Sequence, residues 1–421
     1  MSSLLLDIGG TFIKSCVSDE SSIRPKSFRR HKMPELGGKS PLNLEIPKSP
    51  LLKLINREIE FQIFQNTDIK RIFLSGQMGC WTIEGLESLK DVIVSWQDQR
   101  ILASYTNLEE ALFKNGFQNL YRANGCEIGE GVPAMGLLSV QNEVLESTNP
   151  KLLLTLMGWC IRQITDSENT PLHITDAAST GLLDLDKGDW LSTFYNSFSS
   201  RLTFPGVLSA VESVGKLKNT SIDVYCGVGD QQASLLGVGL SENNIVLNIG
   251  TGGQVAVMES LRPRPRTKTR PYFNNTRIYT RTHLLSGRFL NKIIEIVRND
   301  YKLNFNYSDF DQINPNNSCY EKLFPADLAM NPQYLREVAS KMSSTSFLEI
   351  SIATMAKQYF DAISDLGGLN DRYLIFAGGV GQKNKALIRE VTKLLGTKRM
   401  IVSKELETTL AGLRKLSLFN V

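Results

Sequence analysis

Asp230 stands where a strand-like run, Val224 to Val228, passes through Gly229 into Asp230-Gln231-Gln232-Ala233-Ser234, which reads as a helix start. In α/β sheets the carboxyl ends of strands and the first turns of the helices that follow are where ligands meet the chain. Two roles are open to a carboxylate there. It can cap the helix, or it can take the proton from an attacking hydroxyl in phosphoryl transfer. A second carboxylate, Asp7, follows the apolar run Leu4-Leu5-Leu6 and leads into Ile8-Gly9-Gly10-Thr11. With Asp230 as base, Asp7 is positioned to hold Mg²⁺, directly or through water, against phosphates. That cation is usually bound by one or two carboxylates together with phosphate oxygens.

The Asp7 segment has a counterpart past the middle of the chain, Val246-Leu247-Asn248-Ile249-Gly250-Thr251-Gly252-Gly253. Each copy is an apolar run, a polar residue, a glycine-threonine turn and then alternating residues that read as a returning strand, Phe12 to Val17 and Gln254 to Met258. Glycines at the tip let backbone N–H groups converge on an anion, because no side chain blocks close approach. Two such tips imply two jaws on a polyphosphate. They are not equivalent, since Asn248 occupies the place that Asp7 has in the first copy. Metal handling therefore falls to the first turn, and phosphate gripping without an acid to the second.

Three further stretches carry polar groups at strand ends. Ser75-Gly76-Gln77-Met78-Gly79-Cys80-Trp81 follows Ile72-Phe73-Leu74, and an amide donor and acceptor there suits sugar hydroxyls. Ser95-Trp96-Gln97-Asp98-Gln99-Arg100 follows Val92 to Val94. An indole face covering sugar C–H surface, beside a carboxylate and amides that fix hydroxyls, is a common sugar-binding arrangement. Ala377-Gly378-Gly379-Val380-Gly381-Gln382-Lys383-Asn384 follows a strand and opens a helix, so a flat adenine or a phosphate can approach its backbone. Each of the first two, taken alone, is more often a packing feature than a binding one.

These residues need elements that bring strand ends together. Strands are expected at 3–8, 12–18, 71–75, 92–95 and 222–227, with helices at about 50–66, 107–115, 150–165 and 230–238. Residues 24–49, rich in Pro, Lys, Ser and Gly, read as a surface excursion. In the second half strands are expected near 245–249, 254–258, 277–282 and 373–377, and helices near 286–299, 333–341, 347–364 and 383–395. Alternating strands and helices after an opening hairpin predict an α/β layer with a mostly parallel sheet, and the second half repeats that plan. A break at Ser241-Glu242-Asn243-Asn244 divides the chain into lobes 1–240 and 241–421 with a cleft between them.

With 421 residues, 42% of them hydrophobic and 21% charged, the chain has enough material for two cores. Cys16, Cys80, Cys126, Cys160, Cys226 and Cys319 lack C-x-x-C spacing and read as reduced core thiols, not as a zinc site. The start has no basic, signal-like segment, and the longest apolar stretch, Leu152 to Ile161, is too short to span a bilayer. A cytoplasmic location is expected. A net charge of +4 is too mild to imply a nucleic-acid partner. Arg262, Arg264, Arg266, Lys268 and Arg270, interleaved with prolines, read as a solvated basic loop, as does Arg24 to Lys32. Gly37-Gly38-Lys39-Ser40 has the tail of a phosphate-binding loop, yet Met33 replaces its first glycine and no strand precedes it. His31, His173 and His283 are widely spaced, so no histidine catalysis is expected.

Asp7-Ile8-Gly9-Gly10-Thr11, Gly76-Gln77-Met78, Trp96-Gln97-Asp98-Gln99-Arg100, Thr175-Asp176 to Thr180-Gly181, Gly229-Asp230-Gln231-Gln232, Gly250-Thr251-Gly252 and Gly378-Gly379-Val380-Gly381 follow one another in an informative order. The ordered set resembles the FGGY carbohydrate kinases, of the actin, sugar kinase and Hsp70 superfamily, over nearly the whole chain. The resemblance implies two actin-like (ribonuclease H-like) α/β lobes with a central cleft. It implies an ATP- and Mg²⁺-dependent kinase acting on a primary hydroxyl of a ketose. Asp230 would be the catalytic base, with Asp7 and Asp230 around the Mg²⁺. Gly9, Gly10, Thr11, Lys14, Gly250, Thr251 and Gly252 would hold the ATP phosphates, and Gly378, Gly379 and Asn384 would line the adenosine pocket. Gln77, Met78, Trp96, Asp98 and Gln231 would face the sugar.

Within that family the Gly-Gln-Met and Trp-x-Asp-x-Arg pair is similar to the xylulokinase and sedoheptulokinase branches. Pro271-Tyr272-Phe273-Asn274-Asn275, followed by Leu284-Leu285-Ser286-Gly287, is similar to the sedoheptulokinase side. Xylulokinases usually have histidine after Gly-Gln-Met, where this chain has Gly79, so xylulose is the second choice. The second lobe is also shorter than the family norm, and Thr251-Gly252-Gly253 replaces the more frequent Thr-Ser-Gly. The expectation is a monomer or homodimer that binds sugar and ATP, without nucleic acid or membrane. Two rivals remain: a sugar or nucleotide sensor without turnover on the same scaffold, and an actin-like polymerising protein.

Overall fold

The structure, a computed structural model, describes residues 2–20, 22–117, 120, 124–125, 129–149, 151–198, 201–258 and 267–419. Cys126 and the basic residues Arg262, Arg264 and Arg266 lie outside these described residues. Two compact units are present. One comprises Met1–Gly237, Thr269–Arg277 and Glu407–Val421, and the other Val238–Lys268 and Ile278–Leu406. The chain thus first changes unit close to residue 240, and two later segments return to the first unit.

In the first unit, β1 (Ser2–Ile8) and β2 (Phe12–Ser18) form the opening hairpin, and β3 (Arg29–Lys32) pairs antiparallel with β2. On its other side β1 pairs in parallel with β4 (Ile69–Gly76). Then come β6 (Asp223–Tyr225), also parallel to β4, and β5 (Ser213–Lys216), antiparallel to β6 at the edge. The short β7 (Val228–Gly229) pairs with the end of β4. Every residue of β1 is buried, as expected of a strand covered on both faces. Leu4, Leu6 and Ile8 share a core with Leu51, Ile55 and Ile59 of helix Lys48–Gln65 and with Met157, Cys160 and Ile161 of helix Leu156–Ile164. Helix Thr408–Phe419 packs on β1 and β4 through a buried set that includes Leu410 and Leu413. That apolar stripe is why the chain's last segment returns to the first unit.

The main sheet is mixed, not mostly parallel as expected, with three antiparallel and three parallel pairings, and two further expectations change. The helix expected over 150–165 is a strand, Lys151–Thr155, followed at once by helix Leu156–Ile164. Leu152-Leu153-Leu154 pairs with Trp81–Glu84 in a second sheet, so tertiary pairing overrides the helical reading. The expected surface excursion at 24–49 supplies two strands, β3 to the main sheet and Glu45–Pro47 to the second.

The second unit repeats the first plan. Its β8 (Asn244–Ile249) and β9 (Gly253–Val257) form a hairpin, with β10 (Arg277–Leu284) antiparallel beside β9. On the other side β11 (Tyr373–Ala377) and then β12 (Met400–Val402) run parallel to β8. Helices Gly287–Asn299, Ser344–Asp365 and Lys385–Leu394 bury Phe289, Phe347, Tyr359 and Leu387 in one core with Leu247 and Ile249.

Candidate active site

The register of the opening hairpin places Asp7 opposite Lys14, and its parallel pairing places Asp7 beside Ser75. The Gly9 N–H closes the turn on the Phe12 carbonyl at 3.1 Å, while Gly10 and Thr11 remain exposed at the tip. A methyl group on Gly10 would come within 3.2 Å of Gln77 Oε1, so the Gln77 amide lies beside this turn. Lys14 Nζ is 3.7 Å from Asp7 Oδ2 and 2.7 Å from Glu407 Oε2. The turn therefore presents bare backbone with one cation and one buried carboxylate at its base.

Asp7 is 4% exposed. Burial pushes its carboxyl up to about 7; Lys14 opposes the shift, and the negative charges of Asp230 and Glu407 add to it. Asp230 opens helix Asp230–Val238 directly after β7 and is partly buried. Its Oδ1 accepts the Gln231 N–H at 2.8 Å. Burial lifts this carboxyl to about 6, with the Gln231 backbone, Arg270 and Lys14 holding it down. At neutral pH Asp230 is mostly ionised and more basic than a free carboxylate, which suits a proton acceptor. Among the described residues no group of three or more His, Cys, Asp or Glu side chains converges to cage a metal. Asp7 and Asp230 instead offer hard oxygen donors of the kind Mg²⁺ takes alongside phosphate, so the donor chemistry fits.

The groups expected to face a sugar divide. Met78 is adjacent to the residue before Asp230, since its Sδ would lie 3.0 Å from a β-carbon on Gly229. Gly79 has φ +78°, a conformation that favours glycine, and a β-carbon there would press within 3.2 Å of Trp96 Cβ. Trp96 is 41% exposed and leaves much of its indole uncovered. Gln231 is partly buried next to Asp230, whereas Gln232 is buried with its Nε2 on the Pro271 carbonyl at 3.3 Å.

Asp98 is a correction. It is 1% exposed and both of its oxygens are engaged. Oδ1 accepts the Arg100 N–H at 2.9 Å and Nε at 2.8 Å, and Oδ2 accepts Arg100 Nη2 at 3.0 Å and the Leu44 N–H at 2.8 Å. Arg100 also reaches Glu45 at 2.6 Å. A carboxylate with that many internal donors is a brace for the loop carrying Trp96, not a sugar ligand.

In the second unit, Asn248 faces Gln254 across the hairpin. The turn is braced from within: Gly250 N–H donates to the Gly252 carbonyl at 2.9 Å, Gly287 N–H to Gly250 at 2.9 Å, and Ser286 Oγ to Thr251 at 2.6 Å. Gly378 has φ +76°, and a β-carbon there would meet the Ile249 carbonyl at 2.6 Å and Asn248 Oδ1 at 2.8 Å. The turns holding Gly250 and Gly378 therefore adjoin. Gly252 and Gly379 have open space where a side chain would be, so nothing within the fold requires glycine there. Asn384 is buried; its Oδ1 caps helix Lys385–Leu394 through Leu387 N–H, and its Nδ2 has no partner among the described residues.

Three residues near Asp230 carried no assigned role in the sequence reading. Asp176 is buried, accepts the Thr155 hydroxyl at 2.6 Å, and is pushed up to about 7 by burial, with Asp230 adding to the shift. Arg270, the last member of the basic run, is close enough to Asp230 to stabilise its charge. His173 is buried near the same strand end, and its ring stacks on Phe273 at 5.6 Å. The proline-interleaved run masked Arg270, and wide spacing hid His173.

Residues 3–237, more than half of the chain, match the family model described as the N-terminal domain of the FGGY family of carbohydrate kinases. A xylulose kinase of Lactococcus lactis subsp. lactis (strain IL1403) is 28% identical over 102 residues, 22% of this chain. That match spans 20% of the relative's length. Among solved structures, a ligand-bound xylulose kinase from Lactobacillus acidophilus superposes with TM-score 0.79 at 17% identity, covering 100% of this chain and 90% of that one. A gluconate kinase from Lactobacillus acidophilus gives TM-score 0.81 at 17% identity with the same coverage. Plasmodium falciparum glycerol kinase with ADP gives 0.77 at 16%, covering 98% and 88%. The likeness to these structures is one of fold: the expected two-lobed, actin-like α/β architecture is present.

Proposed function

The chain belongs to the FGGY family of carbohydrate kinases, and from that premise we propose that it transfers the γ-phosphoryl group of ATP to a primary hydroxyl of a ketose. The observation that carries this reading is the pairing of two carboxylates with a glycine-threonine turn. Asp7 and Asp230 are linked electrostatically and raised by burial to about 7 and about 6, beside exposed backbone at Gly10 and Thr11. Asp230 accepts the proton of the attacking hydroxyl, and the Gln231 N–H fixes its Oδ1 for that task. Gln77, Met78, Trp96 and Gln231 orient the sugar, and Asp98 acts on it only by holding the Trp96 loop. Asp7 and Asp230 are the residues that would hold Mg²⁺, which when bound offsets charge on the phosphate oxygens.

Gly9, Gly10, Thr11 and Lys14 receive phosphate in the first unit. Gly250, Thr251 and Gly252 do so in the second, where Gly378, Gly379 and Asn384 take the nucleoside. The open space at Gly252 and Gly379 and the unpartnered Asn384 Nδ2 support that assignment. A heptulose of the sedoheptulose kind is the first substrate choice, supported by the 271–275 and 284–287 segments and by glycine at 79. Xylulose is the second, favoured by the names of the Lactococcus and Lactobacillus relatives. The reading is of a cytoplasmic enzyme, monomeric or homodimeric; no helix among the described residues is long and apolar enough to cross a membrane.

ADP release measured across ketoses, polyols and aldoses tests this reading. Turnover with a heptulose or pentulose is expected. Saturable sugar binding without ADP release would instead mark a sensor, and ATP-dependent sedimentation a filament-forming protein. In Asp230→Asn turnover should fall by about 1000-fold or more with fold and ATP binding kept. A variant retaining a substantial part of the rate removes Asp230 from the role of base.

A further inference from the structure

We propose that His173 is a positioning residue for Asp230, acting through the hydroxyl of Thr175. The inference rests on the reading of Asp230 as the base. His173 and Thr175 are fully buried. Thr175 Oγ1 accepts the Gly229 N–H at 3.1 Å and lies 2.8 Å from His173 Nδ1. The Thr175 backbone N–H also points at Nδ1, at 3.3 Å. The Thr175 N–H aimed at Nδ1 makes Nδ1 the unprotonated, accepting nitrogen, a tautomer assigned from this network, and the Thr175 hydroxyl, which accepts from Gly229, gives its own proton to Nδ1.

Burial keeps the imidazole neutral by pushing its pKa down to about 4, so the acceptor persists throughout the neutral range. Stacking on Phe273 fixes the ring plane. Two links, imidazole to hydroxyl and hydroxyl to amide, thus end on the peptide immediately before Asp230. Gly229 cannot be steadied by a side chain of its own. A β-carbon there would come within 2.5 Å of Gln232 Oε1, 3.0 Å of Met78 Sδ and 3.3 Å of the Thr175 carbonyl. With no room for substitution, Gly229 is held by its pairing with Gly76 and, at its N–H, by Thr175, and the Thr175 bond fixes the peptide from which the Asp230 carboxylate starts. A misplacement of the order of 1 Å in a reacting group can cost about 100-fold in rate.

The test combines two disruptive variants, His173→Phe and Thr175→Val, with two that keep the hydrogen-bonding atoms, His173→Asn and Thr175→Ser. His173→Phe preserves a ring for Phe273 and removes the acceptor, while His173→Asn supplies an oxygen close to the position of Nδ1. One readout is kcat and KM for ATP. The other, independent of activity, is deuterium exchange of the peptide carrying Gly229, followed by mass spectrometry. The disruptive pair should lose about 10- to 100-fold in kcat, with KM for ATP within about twofold and faster exchange at Gly229. The conservative pair should stay within about threefold of the parent in both readouts. A folded His173→Phe protein with parental kcat and exchange overturns the proposal, and so does a His173→Asn protein that falls as far as His173→Phe. If the parent turns over no sugar, the kinase reading fails and exchange alone decides. Faster exchange in His173→Phe and Thr175→Val then supports the relay, and unchanged exchange overturns it.

Discussion

The two glycine-threonine turns share a backbone and differ in what surrounds it. In the first, the hairpin register sets Asp7 against Lys14; in the second, the corresponding step sets Asn248 against Gln254. A charged pair has thus been replaced by a pair of amides two residues before the turn. Bracing differs in the opposite sense. The second turn is tied to Ser286 and Gly287 and its last glycine abuts Tyr359, whereas the tip of the first stays open over the Gln77 amide. Neutral amides and rigid backbone suit holding an anion in place. A buried carboxylate beside a cation suits a site where charge must be balanced during reaction.

The comparison breaks most sharply if Asp7→Asn is harmless, because that substitution gives the first turn the chemistry of the second. A fall in kcat of about 1000-fold is expected, with the fold retained, measured by ADP release at saturating sugar and ATP. Retention of more than about a tenth of the rate would mean that the difference between the turns is incidental to catalysis. The reciprocal change, Asn248→Asp, should act on binding instead. A new negative charge beside the phosphates costs about 1 kcal/mol in a partly solvated setting, so KM for ATP should rise by about 5- to 10-fold while kcat changes little. If kcat falls as steeply as in Asp7→Asn, the second turn takes part in the chemistry and the division of labour is wrong.

Much of this was legible in the sequence because glycines, strand ends and apolar runs are local signals. The turns at 9–11 and 250–252 lie at strand ends as expected, the glycines at 378–381 open a short helix, Gly378–Lys383, directly after β11, and β1, β2, β8, β9 and β11 fall within a few residues of the expected strands. What failed depended on partners distant in sequence. Arg29-Arg30-His31-Lys32 reads as a solvated loop until Glu58 is in place, buried and bonded to Arg29 at 2.9 Å and His31 at 2.6 Å. Ser15 and Gln62 complete that cluster from β2 and helix Lys48–Gln65. Asp98 looked available because a sequence displays a carboxylate but not the four donors that occupy it. His173 carried no signal in the sequence because its contacts, a threonine hydroxyl and a phenylalanine ring, leave no spacing pattern.

The smallest predicted effect concerns stability, and it sharpens the contrast because every carboxyl raised by burial, Asp7, Asp176 and Asp230, belongs to the first unit. Asp176 gives the cleanest case, since its one recorded hydrogen-bond donor is the Thr155 hydroxyl. Its folded-state pKa of about 7 lies above the 3.8 of an ordinary aspartate, so the folded protein holds a proton that the unfolded chain releases. The associated stability is fully present below the unfolded value, declines as pH rises, and is gone once pH passes the folded value. Between pH 5 and pH 8 this group alone should cost on the order of 2 kcal/mol. Asp176→Asn keeps an acceptor for Thr155 and cannot ionise, so its unfolding midpoint in urea should fall less over that pH range than the parent's. Parallel pH profiles for the two proteins would show that Asp176 ionises at no cost to the fold. The buried carboxylates would then be better solvated than their surroundings imply.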